Sequence, residues 1–377
     1  MSTVSVPPQV PSPRLVLVMA GAAGPTDRVP TALELAAMPQ LAGIARTGRV
    51  GRLHAVASHL PVSETSAAAT ALGTIPPMAL DPGAVAIEAL GRVLASDESC
   101  TVVVVLDHHG DPAPALDVER AAATLRSQLR WQRVAGVTRG NQILIAGAVP
   151  SVLPQVDGLR LEPMAAGFLP SPILNRDTVV VAADGSMMLG VASLLGATAI
   201  PVNPAKGDVH DPVPGRLRAT ATTALLQGAH TVVVETRAPL LARRGQRDDA
   251  ARQRLVAGVL SQVDRELIGP LRTATSWVNA CISVTADLSR RPDGTPVRGD
   301  VPIAMAGPRA VFMPEPAPLL APPGTTFVPA YSERGVADQP AVSTPFTMLP
   351  AREAAPLRRF RRDPVTGRTA RDIPAAA

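Results

Sequence analysis

The sequence predicts an α/β protein built on a mostly parallel sheet covered by helices. Three observations carry that prediction. Short, wholly apolar runs rich in Val, Ile and Leu recur along the chain, as strands buried on both faces require. Stretches with helical spacing of apolar residues lie between many of them. The composition also supports a large core: of 377 residues, 46% are hydrophobic and 18% charged, which excludes wholesale disorder. Aromatic residues make up only 2%, so the core must be packed from Ala, Val, Leu and Ile.

Taken in order, residues 1–13 hold four prolines and read as a flexible lead. Residues 14–20 form a buried strand that ends in a tight turn at Gly21-Ala-Ala-Gly24. Leu33, Leu35, Met38, Leu41 and Ile44 recur near helical spacing and predict a helix over 31–47, stopped by Gly48. Further strands are expected at 101–106, 142–146, 178–182, 198–202, 231–234 and 281–285. Helices are expected at 115–131, 187–195, 216–227 and 248–268, the last opened by Asp248 and Asp249 with Arg252 behind them. After residue 317 the pattern collapses. Residues 321–377 are rich in Pro and Arg, with a charge run over Arg358-Arg-Phe-Arg-Arg362, and read as a solvated or surface-wrapping tail.

Several function classes are excluded by composition. The net charge is +5, yet Lys206 is the only lysine; the arginine skew reflects a GC-rich coding sequence rather than nucleic-acid binding. The base-stacking aromatics of a single-strand binder are missing too. Cys100 and Cys281 stand far apart and form no CxxC pair, so a zinc finger or disulfide framework is not expected. No stretch has the length and apolarity of a signal peptide or a membrane span. The expectation is a soluble, cytoplasmic protein with no nucleic-acid or membrane partner.

Two segments could carry chemistry. From Leu60 to Gly73, a proline and then Ser63 precede an alanine-rich helix, which puts Ser63 at a helix N-terminus. Free N–H groups there can hold a phosphate, and the same geometry is what a plain N-cap serine needs. In the second segment, a strand ending in Asp287 puts a carboxylate at the carboxyl edge of the sheet, where open α/β folds bind ligands; a turn-forming aspartate reads equally well. Asp107-His-His-Gly-Asp111 offers four metal-ligating side chains after a strand. Adjacent residues on a strand point to opposite faces, so it reads as a polar loop. His54, His59 and His230 find no convergent partners, and His210, beside Asp211 in the loop 206–215, could shape a ligand pocket but reads as a satisfied loop histidine.

The order of these motifs resembles the cofactor-independent phosphoglycerate mutases of the archaeal type, in the alkaline phosphatase superfamily. The resemblance runs from Arg14 to Pro308. It rests on the opening strand and glycine turn and on the helix around Pro39-Gln-Leu-Ala-Gly43. Ser63-Glu-Thr-Ser66 is close to the family's Ser-Asp-Thr-Ser nucleophile loop. Ile87-Glu-Ala-Leu-Gly91 resembles the family's entry into a lid, and Leu189-Gly-Val-Ala192 its Lys-Gly-Ile-Ala helix. The stretch from Thr285 to Pro302 resembles Thr-Ala-Asp-His-Ser…His-x-Asp-Pro-Val-Pro. The resemblance implies an alkaline-phosphatase-like core in two parts, 14–82 and 173–320, an inserted α/β lid over 83–172, and a tail over 321–377. It also implies a serine that takes up a phosphoryl group beside two divalent metals.

Residue by residue, that site is depleted. Ser63 and Asp287 are kept. The family's first aspartate falls on Ala20, and the Asp and His of its Ala-Pro-Asp-Glu-x-Gly-His stretch fall on Leu240 and Arg244. The histidine beside Asp287 falls on Leu288, the last histidine near Arg298, and the one after the serine near Ala67 or Ala68. Two divalent ions about 4 Å apart need several anionic or imidazole ligands, and most of those positions are now apolar or cationic. The expected function is therefore a degenerate mutase-like protein without metal-dependent activity. Ser63, Arg244, Asp287 and Arg298 would hold a phosphorylated or carboxylated small molecule, since arginine clamps such anions bidentately. The alternatives are a divergent phosphomutase or phosphatase using Ser63, with Mn, Mg or Zn as cofactor, and a non-catalytic protein partner that makes contact through the Arg-rich tail.

Overall fold

The computed structural model describes residues 12–24, 31–91, 99–129, 133–139, 141–146, 153–203, 214–243, 248–291, 294–307 and 326–328. The chain opens with β1 (Arg14–Met19), followed by α1 (Ala32–Leu35), α2 (Pro39–Thr47), β2 (Arg49–His54), α3 (Glu64–Ala71) and α4 (Pro82–Ala89). An insert follows: β3 (Cys100–Asp107), α5 (Ala115–Gln128), β4 (Arg133–Arg139), β5 (Gln142–Ala146) and β6 (Leu159–Pro163). The main sheet resumes with β7 (Thr178–Ala183), α6 (Met187–Leu194), β8 (Thr198–Val202), α7 (Pro214–Leu226) and β9 (Thr231–Thr236). It closes with α8 (Ala238–Ala242), α9 (Asp249–Val263), a π turn (Asp264–Ile268), α10 (Gly269–Trp277), β10 (Cys281–Ala286), β11 (Ser289–Arg290), β12 (Pro296–Val297), β13 (Asp300–Ala306) and β14 (Thr326–Val328).

The main sheet has eight strands in the order β14-β2-β13-β10-β1-β9-β7-β8. Five of them, β10 to β8, are parallel, and the other three extend the β10 edge antiparallel. β1 lies inside the parallel block and is apolar along its length, because both of its faces are covered. Leu15, Leu17 and Met19 face one core layer, with Ile44, Leu217, Leu260 and Leu271 from the helices on that side. Val16 and Val18 face the other, with Ala68, Ala69, Val85 and Leu189 from α3, α4 and α6. That alternation is the period-two geometry of a strand. In register, Met19 is level with Ala286 and Thr236. The residues just past β1, β9 and β10 therefore meet at one edge.

The mostly parallel, helix-covered α/β sheet expected from the sequence is present, and it departs from expectation in instructive places. The helix expected over 31–47 is two helices. Met38 sits at φ −124°, ψ 69°, because the ring of Pro39 disfavours a helical residue before it. Thr31 and Glu34 form a capping box on α1. The N-terminus of α2 has no cap from its own chain neighbours. Asp264, fully buried, supplies one from a distance: its carboxylate accepts from Gln40 N–H at 2.9 Å and Leu41 N–H at 2.8 Å. The helix expected over 248–268 is α-helical to Val263, closes its predicted span as a π turn and continues past it as α10. Pro270 cannot donate to the carbonyl four residues back, and the wider turn accommodates it.

β2, β4 and β6 carry Arg, His or Glu among their apolar residues, β13 opens on Asp300 and holds Pro302, and all four pair antiparallel, so no uninterrupted apolar run marked them. Residues 326–328, inside the expected tail, pair with β2. The rest of 308–377, including Arg358 to Arg362, lies outside the described residues.

The insert is a separate antiparallel sheet, β4-β5-β3-β6. One face buries Val103, Val105, Ile143 and Ile145 under α5. The other places Val102 and Leu144 on Ala86 and Ile87 of α4. α4, which the expected boundary at 83 assigns to the insert, packs on α6 of the main core. Gly190 lets the helices approach so closely that a Cβ there would lie 2.0 Å from the Val85 carbonyl oxygen. The two segments joining insert and core run side by side. Phe168 N–H donates to Ala79 C=O, Asp81 N–H to Phe168 C=O, and the Asp81 carboxylate accepts from Ala84 and Gly167.

Replacing Asp264 by Ala removes two buried caps at once. The expected loss is about 2–3 kcal/mol of unfolding free energy in a denaturant titration, with Asp264→Asn, which keeps one acceptor oxygen, losing about half as much.

Candidate functional site at the carboxyl edge of the sheet

Four chain segments meet past the ends of β1, β9 and β10. The β1 turn begins with Ala20, whose N–H donates to Thr236 C=O at 2.9 Å. Gly21 follows with φ +79°. A Cβ on Gly21 would lie 2.6 Å from the Cα of Leu240, so both the conformation and the close approach demand glycine. The peptide groups of Gly21 are held from two sides. Its N–H donates to Asp287 Oδ1 at 2.8 Å, and its carbonyl accepts from Arg243 Nε at 2.8 Å.

Asp287 is 7% exposed, and its second oxygen accepts from Arg290 Nη2 at 2.7 Å. Arg290 is 3% exposed. The same Nη2 lies 3.5 Å from Glu64 Oε1, and Nη1 donates to Gly294 C=O at 3.2 Å. The backbone of Arg290 is fixed as well: its N–H donates to Ala23 C=O, and β11 pairs with β12. Glu64 is the first residue of α3, directly after Ser63. The Arg290 guanidinium therefore connects the β10 edge and the start of α3, while its backbone N–H and Asp287 tie both to the β1 turn.

Ser63 is where the sequence puts it, at the N-terminus of α3 in an extended conformation. Its hydroxyl accepts from Ser66 N–H at 3.1 Å and lies 3.0 Å from the Ser66 hydroxyl. This is N-cap geometry. Ser63, Glu64 and Thr65 are half-buried, whereas Ser66 to Ala71 are buried. Arg298 reaches the loop leading to Ser63: Nη1 donates to Ala57 C=O at 2.9 Å and Nη2 to Leu60 C=O at 2.6 Å. Its terminal nitrogens hold that loop in place. Arg244 lies outside the described residues.

The other candidates lie elsewhere. Asp107 to Asp111 form a turn at the far end of β3, where Asp107 Oδ1 accepts from His109 and Asp111 N–H groups. The Asp111 N–H, foremost, holds the Asp107 carboxyl below the usual carboxylate range. His108 and His109 stack with ring centroids 3.7 Å apart. His54 pairs with Asp300 across β2 and β13, His59 bonds Pro76 C=O, and His230 lies beside Thr231. His210 lies outside the described residues. Among the described residues, no group of three or more His, Cys, Asp or Glu could hold a metal ion.

The donor set at the sheet edge does not fit a pair of divalent metals. Ala20, Leu240 and Leu288 are apolar and buried. Asp287 has both oxygens engaged, and the nearest charged neighbour is a cation. Metal ions of this class need oxygen or imidazole ligands; among the described residues at these positions, three present apolar side chains and one a carboxylate paired with Arg290. Sequence reasoning missed Arg290, Arg243 and Glu64. The i, i+3 spacing of Asp287 and Arg290 at a strand end was the available signal. Arg243 is adjacent to the expected Arg244, and nothing in their sequence distinguishes the two.

No family model matches the sequence, and no curated protein matches it. Solved structures do. The PH0037 protein from Pyrococcus horikoshii superposes with a TM-score of 0.62 at 17% identity, over 79% of this chain and 88% of that one. A cofactor-independent phosphoglycerate mutase from Thermoplasma acidophilum matches with a TM-score of 0.45 at 14% identity, over 78% and 89%. A protein of the alkaline phosphatase superfamily from Vibrio parahaemolyticus matches with a TM-score of 0.36 at 11% identity, over 79% and 61%. At its identity, the likeness to the Pyrococcus protein establishes a shared fold.

The grip on Gly21 predicts a graded glycine test. Gly110 has φ +87° with nothing within 4 Å of an added Cβ, so Gly110→Ala should cost only the left-handed penalty of about 1–2 kcal/mol. Gly21→Ala adds a backbone clash and should cost at least about 2 kcal/mol more than Gly110→Ala in denaturant unfolding.

Proposed function

We propose that the chain is a degenerate phosphoglycerate-mutase-like protein of the cytoplasm. In this reading it lacks metal-dependent phosphoryl transfer and binds a phosphorylated or carboxylated small molecule beside Ser63, between core and insert. The observation that supports this most is the state of Asp287. It stands at the one retained carboxylate position, yet one oxygen is taken by Gly21 N–H and the other by Arg290.

The chemistry at Ser63 points the same way. A serine hydroxyl becomes a useful nucleophile when a base takes its proton or a metal lowers its pKa. The partners of Ser63 are the amide and hydroxyl of Ser66, and neither is a base. The start of α3 keeps the partial positive charge of a helix N-terminus, which favours an anion by about 0.3–1 kcal/mol. Attraction for an acidic ligand therefore survives where the groups needed for transfer do not. Arg298 contributes by fixing the loop 56–60 rather than by presenting a free fork, and the insert would cover the site as a lid. No helix among the described residues is long and apolar enough to cross a membrane.

The test is to incubate the full-length protein with 3-phosphoglycerate and Mn2+, then map Ser63 by peptide mass spectrometry and measure binding by calorimetry. The expected result is saturable binding without phosphoserine at position 63 and without conversion to the 2-phospho isomer. Stoichiometric phosphorylation of Ser63 would replace this reading with that of an active phosphomutase.

A further inference from the structure

We infer that Arg290 is the resident cation of this site: its guanidinium takes over the charge-balancing and space-filling role that divalent ions would otherwise have there. The inference rests on the metal-independent reading above and goes beyond it, because it assigns that independence to one residue.

Asp287 is 7% exposed and Arg290 3% exposed. An ionised carboxylate in such a place needs a compensating charge, and losing that charge is strongly destabilising. Arg290 supplies it at 2.7 Å. Glu64 adds a second carboxylate at 3.5 Å from the same nitrogen. Arg243, 3% exposed and bonded to the Gly21 carbonyl, brings a second positive charge to the same edge, so two positive charges stand with two negative ones. Glu64 lies in the first turn of α3, where the helix dipole favours a negative charge.

Shape agrees with charge. Arg290 is held by its own backbone bond to Ala23 and by the β11–β12 pair, so the guanidinium is placed by the fold. Buried Ala20, Leu240 and Leu288 border the same edge, and Arg290 Nε is buried without a hydrogen-bond partner. An unsatisfied donor is a cost that a purely stabilising ion pair would not carry. It is tolerated here because the planar fork must reach Asp287, Glu64 and the Gly294 carbonyl together.

The consequence is specific. Removing the guanidinium leaves Asp287 and Glu64 converging on a space of cation size. That pair should take up a divalent ion that the native protein does not take up.

The experiment compares the native full-length chain with Arg290→Met, Arg290→Lys and Arg290→Met/Asp287→Asn, by thermal unfolding in EDTA and in millimolar Mn2+ and by the Mn2+ EPR signal. The native chain should show the same Tm in both conditions. Arg290→Met should unfold at lower temperature in EDTA, and Mn2+ should raise its Tm by about 4 °C or more with one ion bound per chain. Arg290→Lys keeps the charge and should not respond to Mn2+. The double variant should lose the response. If Arg290→Met stays insensitive to Mn2+ while the native chain is also silent, the assignment to Arg290 is wrong and the metal-independent reading stands. If the native chain binds Mn2+, that reading falls, and this inference with it. Should Arg290→Met not accumulate folded, it is refolded from denaturant with and without Mn2+. Recovery only with Mn2+ supports the inference; equal recovery, or none, overturns it.

Discussion

The arrangement of the whole carboxyl edge depends on how the Gly21 turn is held. Asp287 takes the N–H of Gly21, Arg243 takes its carbonyl, and Arg290 takes the free oxygen of Asp287. The two bonds to Gly21 join residues more than two hundred positions apart, and three adjacent parallel strands are needed to bring them level. Only glycine fits the turn this close to Leu240, because a Cβ there would collide with that backbone and the residue is in the left-handed region. The pairing of Asp287 with Arg290 is thus a condition for the edge having one structure. Buried ion pairs contribute little net stability over an apolar replacement, but breaking one costs about 3–5 kcal/mol.

The same constraint shapes the functional reading. A site that must gather two divalent ions keeps carboxylates and imidazoles with lone pairs to spare. Here each oxygen of Asp287 already accepts a bond from the protein itself, one from Gly21 N–H and one from Arg290. Ser63 is likewise spent on its helix as an N-cap. The start of α3 carries the partial positive charge of a helix N-terminus, with the Glu64 carboxylate in its first turn. The insert, packed through α4 onto α6, lies over this same core layer.

Much of the fold was legible in the sequence, and the reasons are physical. β1, β5, β7, β8, β9 and β10 are built from apolar runs, most of them buried on both faces, and those runs announce them to within a residue or two. β2 and β13 could not be read that way, because Arg and His break up the first and the second opens on Asp300 and holds Pro302. The split at Met38–Pro39 was available from proline chemistry but lay inside a convincing helical repeat. Its cap was not available, since Asp264 comes from more than two hundred residues away. Ser63 and Asp287 lie where the sequence places them, at a helix start and just past a strand end, because such positions leave local signals. Arg298 bonds the carbonyls of Ala57 and Leu60, contacts that no local pattern announces. Arg290 carries the decisive contact, and its burial is a property of the folded β11–β12 hairpin that no local pattern reveals.

The central claim is that a guanidinium, and not metal, balances the carboxylates at this edge. The most direct measurement is anomalous diffraction at the manganese edge from crystals of the native chain soaked in Mn2+. The account predicts continuous density for the Arg290 side chain between Asp287 and Glu64, with no anomalous peak within coordinating distance of Asp287. One or more peaks ligated by Asp287, with Arg290 turned away from it, would contradict the account.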